Sequence, residues 1–342
     1  MIFTTAGSPQ CPELPAARSI YVQAGSENFP VASRLLPAAV RVDLMAIYGF
    51  ARLTDDVGDV AGGDRLAQLA QLEHELERAA RGEASHPVMQ RVGATIAARR
   101  LPLQPFFDLI EANRQDQVVR RYETFDDLVG YCRLSANPVG RLVLEIFGAA
   151  TPERVALSDD VCTGLQVVEH LQDVAEDLLQ DRIYLPLADL RAEGCEEADL
   201  ADPKAGPALR RVVALEAARA RRLLFSGVPL AASLPLRPRA AVAAFAAGGM
   251  AALDDIGAAG FDVLAPLELC EPVTAGRVPD VVGEPREAVD RHEIRTQRGG
   301  KKPRGDGKVL ARCLCVDRAR GREVGVLRRS CRRKDHPLLL GS

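Results

Sequence analysis

Two groups of carboxylates could do chemistry in this 342-residue chain. The first is Asp55-Asp56-Val57-Gly58-Asp59, with no basic residue between Leu53 and Asp64. On a helix turning about 100° per residue, Asp55 and Asp59 lie ~40° apart and Asp56 flanks Asp59. The second group runs from Val155 to Asp181 and holds seven acids (Asp159, Asp160, Glu169, Asp173, Glu176, Asp177 and Asp181) with no Lys or Arg. On a helical wheel centred on Glu169, Gln166, Asp173, Glu176 and Asp177 fall within about 80° of it. Val167, Val168, Leu171, Val174, Ala175, Leu178 and Leu179 take the other side as a core face.

Like charges one turn apart repel, and ordinary solvated faces mix signs. Either stripe alone reads equally as an acidic surface face; two in one helical region favour a metal site. Carboxylates without thiolate partners suit a hard cation, and Mg²⁺ takes a few of them together with waters and phosphate oxygens. His170, at the edge of the stripe, reads as structural. Arg52 precedes the first group and Arg182 closes the second. Each is either a helix-end ion pair or a forked donor for a diphosphate.

The elements that would hold these residues are helices. Arg65 to Arg81 places Leu66, Leu69, Leu72 and Leu76 at spacings of three and four, and Leu209 to Leu224 and Pro238 to Ile256 repeat the style. Breakers fall between such segments, at Gly62-Gly63, Pro102, Pro105, Pro138, Pro152, Pro186 and Pro229 to Pro238. No strand alternation and no phosphate-binding glycine loop is present. The pattern predicts an all-α bundle of about eight to ten helices. The absence of a nicotinamide-binding glycine motif implies no nicotinamide cofactor.

Composition agrees. Hydrophobic residues make up 47% of the chain, aromatics only 4%, and there is no Trp. The net charge of −3 gives no pull towards nucleic acid, and the eight Cys lack paired spacing and read as reduced thiols of a cytoplasmic protein. The longest apolar stretch, Ala240 to Leu253, is too short to span a bilayer, so a soluble protein is expected, with contact at the membrane periphery open to it. Charge divides the chain: residues 271–342 hold 18 Lys+Arg against 10 Asp+Glu, and four of the five Lys. Residues 1–17 read as an N-terminal extension, 18–265 as the helical domain, and 266–342 as a basic, poorly ordered tail. Cys313, Cys315, Cys331 and His336 in that tail match no standard zinc spacing.

Three stretches of the helical domain resemble the squalene and phytoene synthase family. They are Ser26-Glu27-Asn28-Phe29-Pro30-Val31-Ala32-Ser33-Arg34-Leu35-Leu36-Pro37, Ile47-Tyr48-Gly49-Phe50-Ala51-Arg52-Leu53-Thr54-Asp55-Asp56, and Leu165-Gln166 through Asp173-Val174-Ala175-Glu176-Asp177 to Arg182-Ile183-Tyr184-Leu185-Pro186. The wording of the first, with Arg114-Gln115-Asp116-Gln117 and Tyr131-Cys132-Arg133-Leu134-Ser135-Ala136-Asn137-Pro138-Val139-Gly140-Arg141, resembles the bacterial hydroxysqualene synthases of HpnC type.

The resemblance implies a single-domain bundle of the isoprenoid synthase type with a central cavity. It also implies two or three Mg²⁺ ions bound with the substrate diphosphate by Asp55, Asp59, Asp173 and Asp177. Glu169 stands where the family usually has Asn and would offer an oxygen to the metal. Arg52, Arg182 and Tyr184 would grip diphosphate oxygens, with Ser26 near that end. Tyr48, Tyr131 and Gln166 would line the cavity, and Tyr48 or Tyr131 would orient a water or take a proton. The substrate implied is presqualene diphosphate, the product hydroxysqualene, and the setting hopanoid synthesis beside other enzymes of that pathway, in the cytoplasm or peripheral to the inner membrane. Head-to-head condensation of two prenyl diphosphates is the alternative within the family, and an inactive helical interaction protein the alternative outside it. Chain-elongating prenyltransferases and terpene cyclases share an Asp55-Asp56-x-x-Asp59 pattern, but the second group lacks their tandem Asp pair or Asn/Ser/Glu triad.

Overall fold

The structure, a computed structural model, describes residues 14–15, 36–60 and 62–264. Ser26, most of the stretch that begins there, and the basic tail with its Cys and His residues lie outside the described residues.

Among the described residues there are twelve α-helices and no strand, as the helical periodicity predicts. In order they are α1 (Ala38–Asp55), a π-helical turn (Asp56–Val60), α2 (Arg65–Ala80), α3 (Pro87–Arg99), α4 (Gln104–Gln115), α5 (Phe125–Ser135), α6 (Asn137–Ile146), α7 (Pro152–Gln172), α8 (Val174–Leu179), α9 (Leu187–Ala192), a 3₁₀ turn (Glu197–Ala201), α10 (Pro207–Phe225), α11 (Gly227–Ser233) and α12 (Leu236–Ala258). The number exceeds the expected eight to ten because long helical stretches break at single residues: α5/α6 at Ala136, α7/α8 at Asp173 and α10/α11 at Ser226.

Starts follow local chemistry. The Asp64 carboxylate accepts the Ala67 N–H, Thr124 and Asp127 form a reciprocal capping box, and Thr151 accepts from Arg154. Pro87, Pro152 and Pro207 sit in first turns, where their missing N–H costs nothing.

Two apolar cores result. One joins α1 to α4 through Leu44, Phe50, Leu53, Leu69, Leu72, Leu76, Val92 and Phe106, with the Phe50 and Phe106 rings edge to face at 5.0 Å. Burying each such side chain contributes about 1.5–3 kcal/mol. Leu66, expected in the same stripe, is 49% exposed, since the core face of α2 begins one turn later. The other core packs Val161, Val167, Val168 and Leu171 of α7 against Val212, Val213 and Leu224 of α10 and Leu253 and Ile256 of α12. Leu165 and Phe147 touch both cores.

α12 is longer than its most apolar stretch suggested: with 23 residues it is long and apolar enough to cross a membrane. Val242, Phe245, Leu253 and Ile256 are nevertheless buried, and the helix packs on α7, α10 and α11. Gly140 of α6 permits another close contact, because a Cβ there would meet Cys162 Sγ and Ser158 Oγ of α7 at 2.5 Å.

Candidate active site

Both carboxylate groups sit where helices stop. α1 ends at Asp55, and residues 56–60 form the π-helical turn rather than more α-helix, so the ~40° offset expected between Asp55 and Asp59 does not apply. α7 likewise ends before Asp173, which takes φ −103° and ψ 12° and starts α8 on a new axis. The wheel drawn through 169–179 therefore fails beyond Asp173. Leu179, assigned to the core face, is 88% exposed, while Asp177, assigned to the acidic face, is buried. Like charges one turn apart weaken an α-helix, and each break falls inside such a run.

These ends also have a field. A helix C-terminus has a partial negative charge, which disfavours nearby carboxylates. Asp55 and Asp173 terminate α1 and α7, and Glu169 lies in the last turn of α7. Cationic groups must offset this.

A cavity with about 1090 Å³ of atom-free space, its open mouth included, runs between the two cores. Arg52 and Asp55 of α1, Asn113 of α4 and Glu169 of α7 line it, with Asn113 bonded to Asp55. Leu44 and Ile47 of α1, Val139 and Val143 of α6, and Leu165 of α7 form the apolar remainder, with Tyr48, Tyr131 and Gln166 also in its wall. Along α1, Leu44 and Asp55 are about 16 Å apart at 1.5 Å per residue, so polar and apolar ends are well separated.

Arginines reach this end from the protein interior. Arg182 is 2% exposed, and its Nη1 donates to Asp59 Oδ1 at 2.8 Å. Burial opposes its charge, yet Asp59, Tyr184 and Asp116 around it hold the guanidinium protonated beyond its ordinary range. Its Nε is buried with no hydrogen-bond partner among the described residues. Arg52 Nε lies 3.0 Å from Asp56 Oδ1; burial pushes the Asp56 carboxyl up, and Arg52 pulls it back. Asp56 is thus paired with Arg52 as Asp59 is with Arg182, so both arginines are held by acids of the turn.

α4 supports the π-turn. Asn113 Nδ2 donates to Asp55 Oδ1 at 3.3 Å, and Gln117 Nε2 donates to the Gly58 carbonyl at 3.1 Å. Gly58 must lack a Cβ, which would lie 2.1 Å from Asn113 Oδ1.

Behind the carboxylates stands an aromatic cluster. Tyr131 and Tyr184 both donate to Asp116, at 2.7 and 3.0 Å, and Tyr184 stacks on His170 at 3.8 Å. His170 Nδ1 is 3.8 Å from Asp177 Oδ2, beyond hydrogen-bond range, and its Nε2 is 3.3 Å from Gln166 Nε2. The segment after Arg182 is pinned by the Ile183 N–H on the Arg120 carbonyl and the Leu187 N–H on the Tyr122 carbonyl. Tyr184 is consequently placed in the interior beside Arg182, in a small pocket with His170 and Asp177 apart from the main cavity.

The structure brings Asp55, Glu169, Arg52, Tyr48, Tyr131 and Gln166 to one cavity, and sets Asp59, Asp177, Arg182 and Tyr184 just behind it. Nothing in the sequence pattern marks Asn113 or Asp116 as functional, and His170 stands there as a lone histidine. The run Arg114-Gln115-Asp116-Gln117 stands out in the sequence, but only folding brings Asp116 to Tyr131 of α5 and to Tyr184 in the segment between α8 and α9.

The donor set fits a hard divalent cation. Its ligand type is carboxylate oxygen, and the acids stand at negative helix ends. Among the described residues no three Asp, Glu, His or Cys side chains form a cage of their own.

Comparison with known proteins agrees with this architecture. Residues 22–277 match the family model described as squalene/phytoene synthase. Hydroxysqualene synthase from Rhodopseudomonas palustris is 40% identical over 212 residues, spanning 61% of this chain and 71% of its own. Hydroxysqualene synthase from Zymomonas mobilis is 38% identical over 202 residues, spanning 58% and 67%. The crystal structure of squalene synthase HpnC from Alicyclobacillus acidocaldarius is 43% identical and superposes with a TM-score of 0.67 over 72% of this chain and 93% of that one. An all-helical fold among the described residues, a mostly apolar cavity with charged residues in its wall and a family match over residues 22–277 place this chain in the squalene/phytoene synthase family of isoprenoid synthases.

Proposed function

We propose that this enzyme ionises presqualene diphosphate and directs water to the rearranged cation, giving hydroxysqualene. One observation supports this above the others: a single cavity brings Arg52, Asp55 and Glu169 together with a mostly apolar wall. The likeness to proteins named hydroxysqualene synthase supports this product within the family.

Asp55, Asp59, Glu169, Asp173 and Asp177 are the residues that would hold Mg²⁺. The bound metal would supply Lewis-acid stabilisation of the leaving diphosphate. Arg52 and Arg182 offer forked donors to its oxygens, and the Arg182 Nε is already desolvated and without an acceptor. Tyr184, whose hydroxyl serves Asp116, acts by fixing Arg182 and His170, and Ser26 is assigned to the diphosphate end. Tyr48 and Tyr131 present aromatic surface to a carbocation, and the Leu44, Ile47, Val139 and Val143 walls keep bulk water from it. Glu169 brings one more negative charge than an amide would, so a stronger demand for divalent cation is expected.

Incubation of the purified protein with presqualene diphosphate and Mg²⁺, with product identification, tests the reading. Hydroxysqualene is expected. Untouched presqualene diphosphate, or turnover of farnesyl diphosphate that stops at presqualene diphosphate, refutes it.

A further inference from the structure

Away from its carboxylate end, the apolar cavity has a polar interruption in one wall. α5 stops at Ser135, Ala136 opens to φ −117° and ψ −48°, and α6 begins at Asn137-Pro138. Pro138 has no N–H for the Leu134 carbonyl, and the Val139 N–H turns to the Ala136 carbonyl at 3.1 Å. The carbonyls of Leu134 and Ser135 thus lose their helical i+4 donors. The Ser135 hydroxyl oxygen is buried and has no hydrogen-bond partner among the described residues. Ser135, Ala136 and Val139 all line the cavity.

The height of this break along the cavity is fixed by its neighbours. Tyr131, one turn earlier on α5, has its ring 6.1 Å from His170, level with the carboxylates. Asn137, just after the break, accepts the Thr163 hydroxyl at 3.0 Å. Ser135 lies between these levels, about 6 Å along the helix from Tyr131 and away from Asp55 and Glu169.

Buried polar groups left dry cost free energy, and one internal water commonly satisfies about three of them. We propose that the α5–α6 break binds a single water between the Ser135 hydroxyl and the freed carbonyls. Resting on the function proposed above, we further assign this water as the one that captures the final carbocation. Its oxygen lone pair forms the new C–O bond, and one of its protons leaves to the diphosphate released on ionisation, so nothing is oxidised or reduced. Without that water, the cation instead loses a proton from a neighbouring carbon to the same diphosphate and becomes an alkene.

The test compares wild-type protein, Ser135→Ala, Ser135→Thr and Pro138→Ala with presqualene diphosphate and Mg²⁺ in ¹⁸O-water. The readout is the ratio of labelled alcohol to alkene, which is independent of total turnover, with melting temperature as a check on folding. Ser135→Ala is expected to lower the ratio about five-fold or more, the loss of one hydrogen bond, and Ser135→Thr to restore it to within about two-fold. Pro138→Ala, which returns a donor to the Leu134 carbonyl, lowers the ratio with the hydroxyl intact and decides the matter should Ser135→Ala fail to fold. An unchanged ratio in both Ser135→Ala and Pro138→Ala overturns the water site alone. Absence of labelled alcohol from the wild-type protein overturns the proposed function and the water site with it.

Discussion

The Tyr131 hydroxyl donates to the buried Asp116 carboxylate across 2.7 Å, and Tyr184 donates to the other oxygen of the same carboxylate at 3.0 Å. Asp116 thereby ties the cavity wall on α5 to the segment that presents Arg182. Asp116→Ala deprives two buried hydroxyls of their acceptor and is expected to cost about 2–4 kcal/mol, more than either Tyr131→Phe or Tyr184→Phe. Urea unfolding of the three variants gives the order. Equal stability of Asp116→Ala and wild type would remove Asp116 from this role.

The α6–α7 contact depends on Gly140. A Cβ there meets Cys162 Sγ and Ser158 Oγ at 2.5 Å, so Gly140→Ala must push the helices apart at the cavity wall. A loss of about 1–3 kcal/mol is expected, partly recovered by adding Cys162→Ala, which removes one of the two colliding atoms. Thermal melts of the single and double variants measure the recovery, and strict additivity would show that the two residues do not collide.

Glu216 of α10 is 1% exposed beside Arg219 and Asp189. Burial pushes its carboxyl up to about 8, with Arg219 opposing and Asp189 adding to the rise. A raised folded-state pKa makes this contribution complete below the ordinary value of 4.5 and lost as pH climbs through about 8. Stability should fall over that window, by an amount on the order of 1–3 kcal/mol. Glu216→Gln should flatten the profile. A stability curve from pH 5 to 9 on both proteins would expose a different cause if the fall persisted in the variant.

The acids at the ends of α1 and α7 predict a trade between stability and binding. Asp55→Asn and Glu169→Gln each remove a negative charge from a negative helix end, which contributes about 0.3–1 kcal/mol. Both variants should melt at or above the wild-type temperature in chelator. Both should lose most of the rise that Mg²⁺ with inorganic diphosphate gives the wild type, since a ligand that binds only the folded state raises its stability. A full ligand-induced rise in both variants would place the cation elsewhere.

Much of this architecture was legible in the sequence. Leu69, Leu72 and Leu76 announced their helix by spacing, and the two acid runs marked the ends of α1 and α7. What spacing could not show is where a helix gives way. A 100° wheel continues through Asp173 and through Asp56, yet repulsion among the acids is relieved by a joint at one and a π-turn at the other, which buries Asp177 and exposes Leu179. Nor could spacing reveal Asn113 and Asp116, whose importance comes from side chains that are distant in the chain: Asp55 for one, Tyr131 and Tyr184 for the other. Neutral or singly charged residues leave no pattern of their own.

The proposed chemistry comes down to release of diphosphate from a prenyl substrate at the cavity that Arg52, Asp55 and Glu169 line. Diphosphate release from presqualene diphosphate, followed in Mg²⁺ and in excess chelator for wild type and Asp55→Asn, measures this directly. Stoichiometric, Mg²⁺-dependent release is expected of the wild type, with a loss of about a hundred-fold or more in Asp55→Asn, as for removal of a group that stabilises a developing charge. Equal release in chelator, or none in the presence of Mg²⁺, would contradict it.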